Sequence, residues 1–172
     1  MREIIRFAWG TSSLGDFMIA MSKKGLVALE FNLRRAATEE ALRVRFTEAD
    51  VLDSQTDLVN IVELVRRAIE DPCFDPDLPL DLRGTAYEIT VWKMLQSIPA
   101  GKTTNYGALA AELGTRDARD VTEAIARNPI AVLVPCHRVI KKDGSISGYR
   151  WGVKRKRALL ALEQNGKDFR LE

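Results

Sequence analysis

Apolar residues divide the first 70 residues into a sheet and two helices. Two short apolar runs, 17–21 and 26–31, flank Ser22-Lys23-Lys24-Gly25, a polar segment that suits a hairpin turn. Helical spacing follows over 36–46 and 57–70. The second of these segments has one apolar stripe, made of Leu58, Ile61, Val62, Val65 and Ile69. The pattern predicts a structural scaffold of sheet plus helices, and no chemistry, in residues 1–82.

A segment that cannot be helical separates this scaffold from the rest of the chain. Residues 71–81 contain three Pro and four Asp, which predicts a linker. The charge balance changes sign at the same place: residues 1–82 hold 10 Lys and Arg against 15 Asp and Glu, and residues 83–172 hold 16 against 9. We therefore predict two domains, 1–82 and 83–172. The basic half suits contact with a polyanion, although an ordinary solvated surface would look the same.

The second half begins with three predicted helices. Residues 85–98 place Val91, Trp92, Leu95 and Ile98 on one face, and Pro99-Ala100-Gly101 ends the helix. Residues 105–113 form the next helix, which Gly114 ends. Thr115 is then the candidate N-cap of a third helix over 116–126. Two helices joined by a short glycine-containing turn predict a helix-turn-helix.

The remaining pattern predicts a buried strand, two loops and a final helix. The apolar run 131–134 leads directly into Pro135-Cys136-His137-Arg138-Val139. An Asp-Gly turn over 141–145 and a glycine-bounded loop over 148–152 precede a helix over 153–163. Four basic residues, 154–157, occupy the first turns of this helix, where the helix dipole disfavours positive charge. Contact with phosphates would explain that placement.

Composition excludes several classes of protein. No apolar run approaches the roughly 20 residues of a membrane span, and the first residues lack the apolar region of a signal peptide. Two cysteines and one histidine fall short of a disulfide framework or a structural zinc site. Neither GxGxxG nor a P-loop occurs. We expect a monomeric protein, cytoplasmic or associated with the nucleoid, without metal or cofactor.

The adjacent pair Cys136-His137 is the candidate chemistry. A nearby imidazole can lower the pKa of a thiol and produce the thiolate, which is the reactive nucleophile. Neighbouring residues of a strand point to opposite faces, so contact between the two side chains needs a turn or a bridging water, and Pro135 favours a change of chain direction. Glu163, on the last helix, is one candidate for the group that orients the imidazole.

Residues 83–164 closely resemble the O6-alkylguanine-DNA alkyltransferases, in order and with nearly ungapped spacing. The N-terminal half resembles them loosely, in a Gly-Asp-Phe and Gly-Leu-Val-Ala-Leu-Glu-Phe hairpin. The motifs of the second half are Gly84-Thr85-Ala86-Tyr87, Val91-Trp92, the segment 98–106, Ala118-Arg119, Asn128-Pro129, Pro135-Cys136-His137-Arg138-Val139 and Gly148-Tyr149-Arg150-Trp151-Gly152. The resemblance implies an α+β fold, with a small ribonuclease-H-like N-terminal domain and a mostly helical, winged helix-turn-helix-like C-terminal domain.

The resemblance also implies a mechanism of DNA repair. Cys136 would accept the alkyl group from O6-alkylguanine, and from O4-alkylthymine, in double-stranded DNA after nucleotide flipping. His137, through a water, and Glu163 would remove the thiol proton, Tyr106 would protonate the leaving guanine, and Asn128 would act as a hinge. The thioether product would make the protein single-turnover. The base pocket would be lined at Val139, Tyr149, Arg150 and Trp151.

On the DNA-binding side, the resemblance implies that Arg119 fills the gap left by the flipped nucleotide. Tyr106, Thr115, Ala118 and Lys142 would contact DNA, and the recognition helix would enter the minor groove. Asp120 departs from the expected pattern, because an acidic group near phosphate weakens binding.

Three other functions fit parts of the sequence. A non-catalytic lesion sensor of the same fold would replace the acceptor cysteine. A Cys–His hydrolase would need an oxyanion site, and a helix-turn-helix transcription factor leaves the Cys-His pair unexplained.

Overall fold

A four-stranded sheet organises the N-terminal half. The computed structural model describes the backbone of residues 1–114, 117–146 and 148–171, with side chains up to Gln164. Strands β1 (Glu3–Ser12), β2 (Gly15–Met21), β3 (Leu26–Phe31) and β4 (Ala49–Asp53) lie in the order β3-β2-β1-β4. β1 and β3 are antiparallel to β2, and β4 is parallel to β1. The predicted hairpin over 17–31 is therefore confirmed.

The sheet is covered on both faces. On one face, Phe7 and Trp9 pack with Leu42 of helix α1 (Arg35–Arg45) and with Phe46, the residue that follows this helix. On the other face, Phe17 and Ile19 pack against α2 (Val59–Glu70) and against C-terminal side chains. Arg6 and Gly10 interrupt the apolar residues of β1, so this strand shows neither a continuous apolar run nor a regular alternation and was not predicted. The short edge strand β4 has mostly exposed residues, so it too gave no signal.

The linker runs along the free edge of β3. Residues 71–81 contain no helix, as predicted, and Leu80 forms a parallel bridge with Leu26. A second parallel bridge joins Leu29 to Ile130, with the Leu29 amide donating to the Pro129 carbonyl over 3.0 Å and the Ala131 amide donating to Leu29 over 2.8 Å. The segment before Cys136 is therefore attached to the N-terminal sheet. The predicted domain boundary near residue 82 stays a prediction.

The C-terminal half contains helices α3 (Ala86–Gln96), α4 (Tyr106–Leu113), α5 (Ala118–Ala126) and α6 (Val153–Leu171). Thr85 and Glu88 form a reciprocal capping box at the start of α3. Gly114 ends α4 in the left-handed conformation. A two-stranded parallel ladder joins β5 (Thr104–Asn105) to β6 (Val139–Ile140). The α+β class is confirmed.

Two local predictions need correction. Helix α5 begins at Ala118, and its N-cap is Asp117, whose carboxylate accepts from the Arg119 amide, so Thr115 is not the cap. Thr115 itself lies outside the described residues. The basic run 154–157 does not form one phosphate-facing surface, because Lys156 is buried and Arg155 donates to the Leu14 and Trp151 carbonyls.

No helix in the described ranges is both long and apolar enough to cross a membrane.

Candidate active site

Cys136 lies at the start of a short 3-10 turn, Cys136–Arg138, between the buried segment 130–134 and β6. Pro135 has φ −81° and ψ 63°, and the Cys136 amide donates to the Val134 carbonyl over 2.8 Å. These values describe an inverse γ-turn, which aims the chain into the 3-10 turn. The change of direction predicted at Pro135 is therefore present, and it replaces the alternation of a strand.

A second, less common γ-turn lies three residues earlier. Val132 has φ 65°, and the Leu133 amide donates to the Ala131 carbonyl over 2.6 Å. A positive φ is unfavourable for a β-branched residue and persists only where the surrounding structure imposes it. The segment that presents Cys136 is thus held in a strained conformation.

Asn128 is the residue that holds this segment. Its side chain is fully buried; Nδ2 donates to the Val134 carbonyl and Oδ1 accepts from the Ile130 amide, each over 2.9 Å. Asn128 follows the C-cap of α5, so the two bonds connect the helix-turn-helix to the turns that precede Cys136. That Asn128 acts as a hinge stays a prediction.

Behind Cys136, His137 and Glu163 form a buried pair. His137 Nε2 lies 2.7 Å from Glu163 Oε1, which also accepts from Arg138 Nε over 2.9 Å. The second carboxylate oxygen lies 3.5 Å from the Gly101 amide. The carboxylate therefore ties α6 to the 3-10 turn and to the loop after α3.

The protonation of this pair follows from its surroundings. Burial lowers the pKa of His137 and outweighs the opposing effect of Glu163. Burial alone would raise the pKa of Glu163, but the hydrogen bonds from His137 and Arg138 lower it overall. A neutral imidazole beside a carboxylate donates through Nε2, which leaves a lone pair on Nδ1. Nδ1 is buried and has no hydrogen-bond partner among the described residues, so it is available as a base.

The Cys136 thiol is not ionised at rest. Burial raises its pKa to about 11, although hydrogen bonding with Asn128 and the positive charge of Lys156 oppose that effect. Lys156 is itself buried and donates to the Val139 carbonyl over 2.7 Å. The expectation that His137 lowers the pKa of the thiol is therefore wrong for the free protein. The proton has to leave during the reaction.

Cys136 opens into a cavity of about 510 Å³. The cavity is mostly apolar and lies between α4, α5 and the loop 148–152. Its lining residues are Tyr106, Thr122, Ile125, Ala126, Cys136, Lys141, Gly148, Tyr149 and Arg150. This volume falls within the usual range for a small-molecule site.

Two of the four predicted pocket residues do not line this cavity. Val139 is fully buried and pairs with Thr104 in the small ladder, while Trp151 is buried in the core and contacts Tyr149 edge to face. Both residues therefore belong to the hydrophobic core and not to the lining of the cavity. Tyr149 and Arg150 line it as predicted, and the buried Tyr149 hydroxyl has no hydrogen-bond partner among the described residues.

Arg150 connects the cavity to the N-terminal sheet. Its Nη1 donates to the Asn128 carbonyl and its Nη2 to Glu30 Oε1, each over 2.8 Å. The guanidinium thus binds the Asn128 carbonyl, just after α5, and at the same time pairs with a carboxylate from β3.

The predicted DNA-contacting residues of α5 lie at the surface. Arg119 has a side chain that is 88% exposed and paired with Asp117 at 3.0 Å, and Ala118 and Asp120 are exposed beside it. The position of Asp120 in the first turn suits the helix dipole, which gives this acidic residue a structural reason. Lys142 is exposed in the turn after β6.

Sequence reasoning missed several residues of the cavity. Thr122, Ile125 and Ala126 of α5 line the cavity, but only Ile125 is buried, so the helical apolar periodicity could have indicated Ile125 and not the exposed Thr122 and Ala126. Lys141 lies in the cavity wall, although only its neighbour Lys142 was predicted to have a role. No pattern in the sequence marks Lys156 as buried.

The sequence is similar to those of known DNA alkyltransferases. The family model for the 6-O-methylguanine DNA methyltransferase DNA-binding domain matches residues 86–165. The chain is 36% identical over 165 residues to the bifunctional transcriptional activator and DNA repair enzyme Ada of Escherichia coli, covering 95% of this chain and 47% of Ada. It is 34% identical over 155 residues to the methylated-DNA–protein-cysteine methyltransferase of Methanosarcina barkeri, covering 90% and 94%.

The fold is similar to that of Mycobacterium tuberculosis OGT, crystallised in complex with DNA. The TM-score is 0.79 at 33% identity, and the match covers 94% of each chain. The chain spans about half the length of Ada and of several other curated relatives.

Proposed function

Because the chain belongs to the O6-methylguanine-DNA methyltransferase family, we propose that it repairs DNA by moving an alkyl group from O6 of guanine onto Cys136. The observation that supports this most directly is a cysteine at an apolar cavity with a His–carboxylate pair behind it. Nucleophilic catalysis requires a nucleophile and a base that a third group orients. We extend the proposal to O4-alkylthymine, which carries the same kind of ether.

The reaction begins with a neutral thiol and a neutral imidazole. A water molecule bridges Cys136 Sγ and His137 Nδ1, so that the thiol proton moves to the imidazole as the sulfur attacks. Glu163 then stabilises the imidazolium through the 2.7 Å bond to Nε2. The thiolate displaces guanine from the alkyl carbon, and Tyr106, in the wall of the same cavity, donates a proton to the leaving base.

The alkylated base has to leave the helix to enter the cavity, because its O6 atom is inaccessible in stacked duplex DNA. Arg119, at the exposed start of α5, fills the gap that the base leaves. Its pairing with Asp117 opposes this role only weakly, since both side chains are exposed and solvent screens their attraction. Ala118, Thr115 and Lys142 contact the backbone around the lesion, which makes binding independent of sequence and sensitive to salt.

The product is a thioether, which no described group is placed to hydrolyse. Each molecule therefore reacts once, and the amount of repair equals the amount of protein.

Intact-protein mass spectrometry tests the proposal. The protein is mixed with a duplex that contains one O6-methylguanine, beside Cys136→Ala and the matched control Cys73→Ala, which removes the exposed cysteine. We expect one methyl group per molecule, located on the Cys136 peptide, in the native protein and in Cys73→Ala only. Tight lesion binding without transfer would indicate a sensor. The absence of both binding and transfer would exclude the repair function.

A further inference from the structure

The walls of the active-site cavity carry positively charged side chains, and transfer of an uncharged methyl group does not require them. Among the described residues that line it, Lys141 and Arg150 are cationic and none is acidic. The rest of the lining is apolar or uncharged. A charge at the edge of a mostly apolar cavity attracts an opposite charge bound there, although solvent around an exposed side chain weakens the attraction.

The two cations differ in how far they are neutralised. Arg150 is paired with Glu30, which lies outside the cavity on β3. Lys141 is exposed and makes no ion pair within the described part of the chain, and the nearby acidic group that its charge acts on is the exposed carboxylate of Asp143. Its backbone is fixed at the base of a turn, where its amide donates to the Ser145 carbonyl over 3.0 Å and its carbonyl accepts from the Gly144 amide over 2.9 Å. The cavity wall therefore carries one positive charge that is held by no ion pair in the described residues, on a backbone of fixed position.

The geometry of the displacement determines which part of an adduct meets this charge. The attacked carbon must lie on the line between guanine O6 and Cys136 Sγ. Any substituent on that carbon points away from this line, toward the walls. A substituent that ends in a carboxylate would be drawn to Lys141, with Arg150 contributing the second positive charge.

We propose that this cavity favours O6-alkylguanines whose alkyl group ends in a carboxylate, of which carboxymethyl is the smallest, and that Lys141 is the residue that determines this preference. The inference rests on the proposed function. The chemistry is unchanged: a bond forms between Sγ and the methylene carbon, the C–O6 bond breaks, and its electron pair stays with guanine. The thiol proton is lost through His137, and guanine gains one proton.

Transfer rates from three duplexes test the preference. The duplexes carry O6-methylguanine, O6-carboxymethylguanine or O6-carbamoylmethylguanine, the last being a neutral group of nearly the same shape as carboxymethyl. The two larger adducts differ in intrinsic reactivity, so the informative quantity is how their rate ratio changes on substitution. The variants are Lys141→Gln, Lys141→Arg and the control Lys93→Gln, an exposed lysine outside the cavity.

We expect Lys141→Gln to lower the carboxymethyl to carbamoylmethyl ratio about fivefold, the effect of one partly exposed charge. Lys141→Arg should retain the native ratio, and Lys93→Gln should leave all rates unchanged. An unchanged ratio in Lys141→Gln would overturn the inference. An equal loss for all three duplexes, with weaker DNA binding, would also overturn it, because Lys141 would then contact phosphate. Absence of transfer to native Cys136 from any duplex would instead refute the proposed function.

Discussion

Replacing Glu163 with Gln tests the most specific feature of the site, the buried carboxylate behind His137. The substitution keeps the shape of the side chain and removes its charge. Glu163 Oε1 accepts hydrogen bonds from His137 Nε2 and Arg138 Nε, at 2.7 and 2.9 Å, and forms an ion pair with Arg138 Nη2 at 2.8 Å. Hydrogen bonds to a charged acceptor are about twice as strong as neutral ones, so weakening both of them and losing the ion pair costs roughly 2–3 kcal/mol. This is slightly below the roughly 3–5 kcal/mol for removing one partner of a buried ion pair.

The free-energy loss predicts both a thermal and a kinetic effect. A loss of about 3 kcal/mol should lower the Tm by about 6–12 °C for a chain of this size. Without the carboxylate, the imidazole loses its fixed tautomer and its stabilisation when protonated. Single-turnover transfer from an O6-methylguanine duplex should therefore slow by about 10²- to 10⁴-fold at pH 7.5, the usual contribution of a positioned base.

The pH dependence distinguishes a catalytic effect from a loss of folded protein. In Glu163→Gln, transfer has to rely on direct ionisation of Cys136, whose pKa is about 11. Its rate should then rise about tenfold per pH unit up to that value, while the native rate rises less steeply. Rapid-quench transfer below the Tm of the variant measures this, with the exposed Glu48→Gln as control. A rate within about threefold of native, with the same pH profile, would refute the role of Glu163.

Three other predictions follow from the same region. Burial raises the pKa of Cys136 from 9.0 unfolded to about 11 folded, so its stabilising contribution is present below pH 9 and is lost as the pH rises to 11. Native protein should therefore lose about 2–3 kcal/mol relative to Cys136→Ser over that interval in urea unfolding, and parallel curves would contradict it. Val132→Gly should cost less than about 1 kcal/mol, because relief of the positive φ offsets the lost side chain, whereas Val134→Gly should cost about 3 kcal/mol or more; equal losses would exclude strain. Arg119→Ala should slow transfer from duplex DNA about tenfold or more, but not transfer from the free base O6-methylguanine, if the side chain fills the gap; an equal loss on both substrates would mean that the variant damages the cavity itself.

The sequence indicated the elements that have an uninterrupted apolar run or a helical apolar stripe. The hairpin over 17–31 follows from two apolar runs around a polar turn, the C-terminal helices and the stripe on α2 follow from helical periodicity, and the linker follows from its prolines. β1 was not predicted because Arg6 and Gly10 interrupt its apolar residues. The cap of α5 was placed wrongly because Thr115 and Asp117 are both acceptable N-caps, with Asp the more favourable, and the position of the first helical turn selects Asp117.

The candidate site was predictable in its chemistry and less so in its electrostatics. Adjacent Cys136 and His137 indicate a reactive thiol, but the pKa of that thiol depends on burial, which the sequence does not report. Lys156 appeared to belong to a surface run of basic residues, since nothing in its neighbours predicts an ammonium group that binds the Val139 carbonyl. Lys141 was passed over for the same reason, because the turn that places it in the cavity wall is a property of the folded chain.

The attachment of the segment 129–131 to β3 has a consequence for how the protein can be divided. A strand at the edge of a sheet exposes unpaired amide and carbonyl groups and can pair with strands of other molecules. Here the amide and carbonyl of Leu29 form hydrogen bonds with Pro129 and Ala131, in the segment that leads to Cys136. A fragment that ends at the linker would leave Leu29 uncovered, together with the apolar side chains of β3. We expect such a fragment to aggregate. The N-terminal sheet and the turn that contains Cys136 therefore have to be produced as one polypeptide.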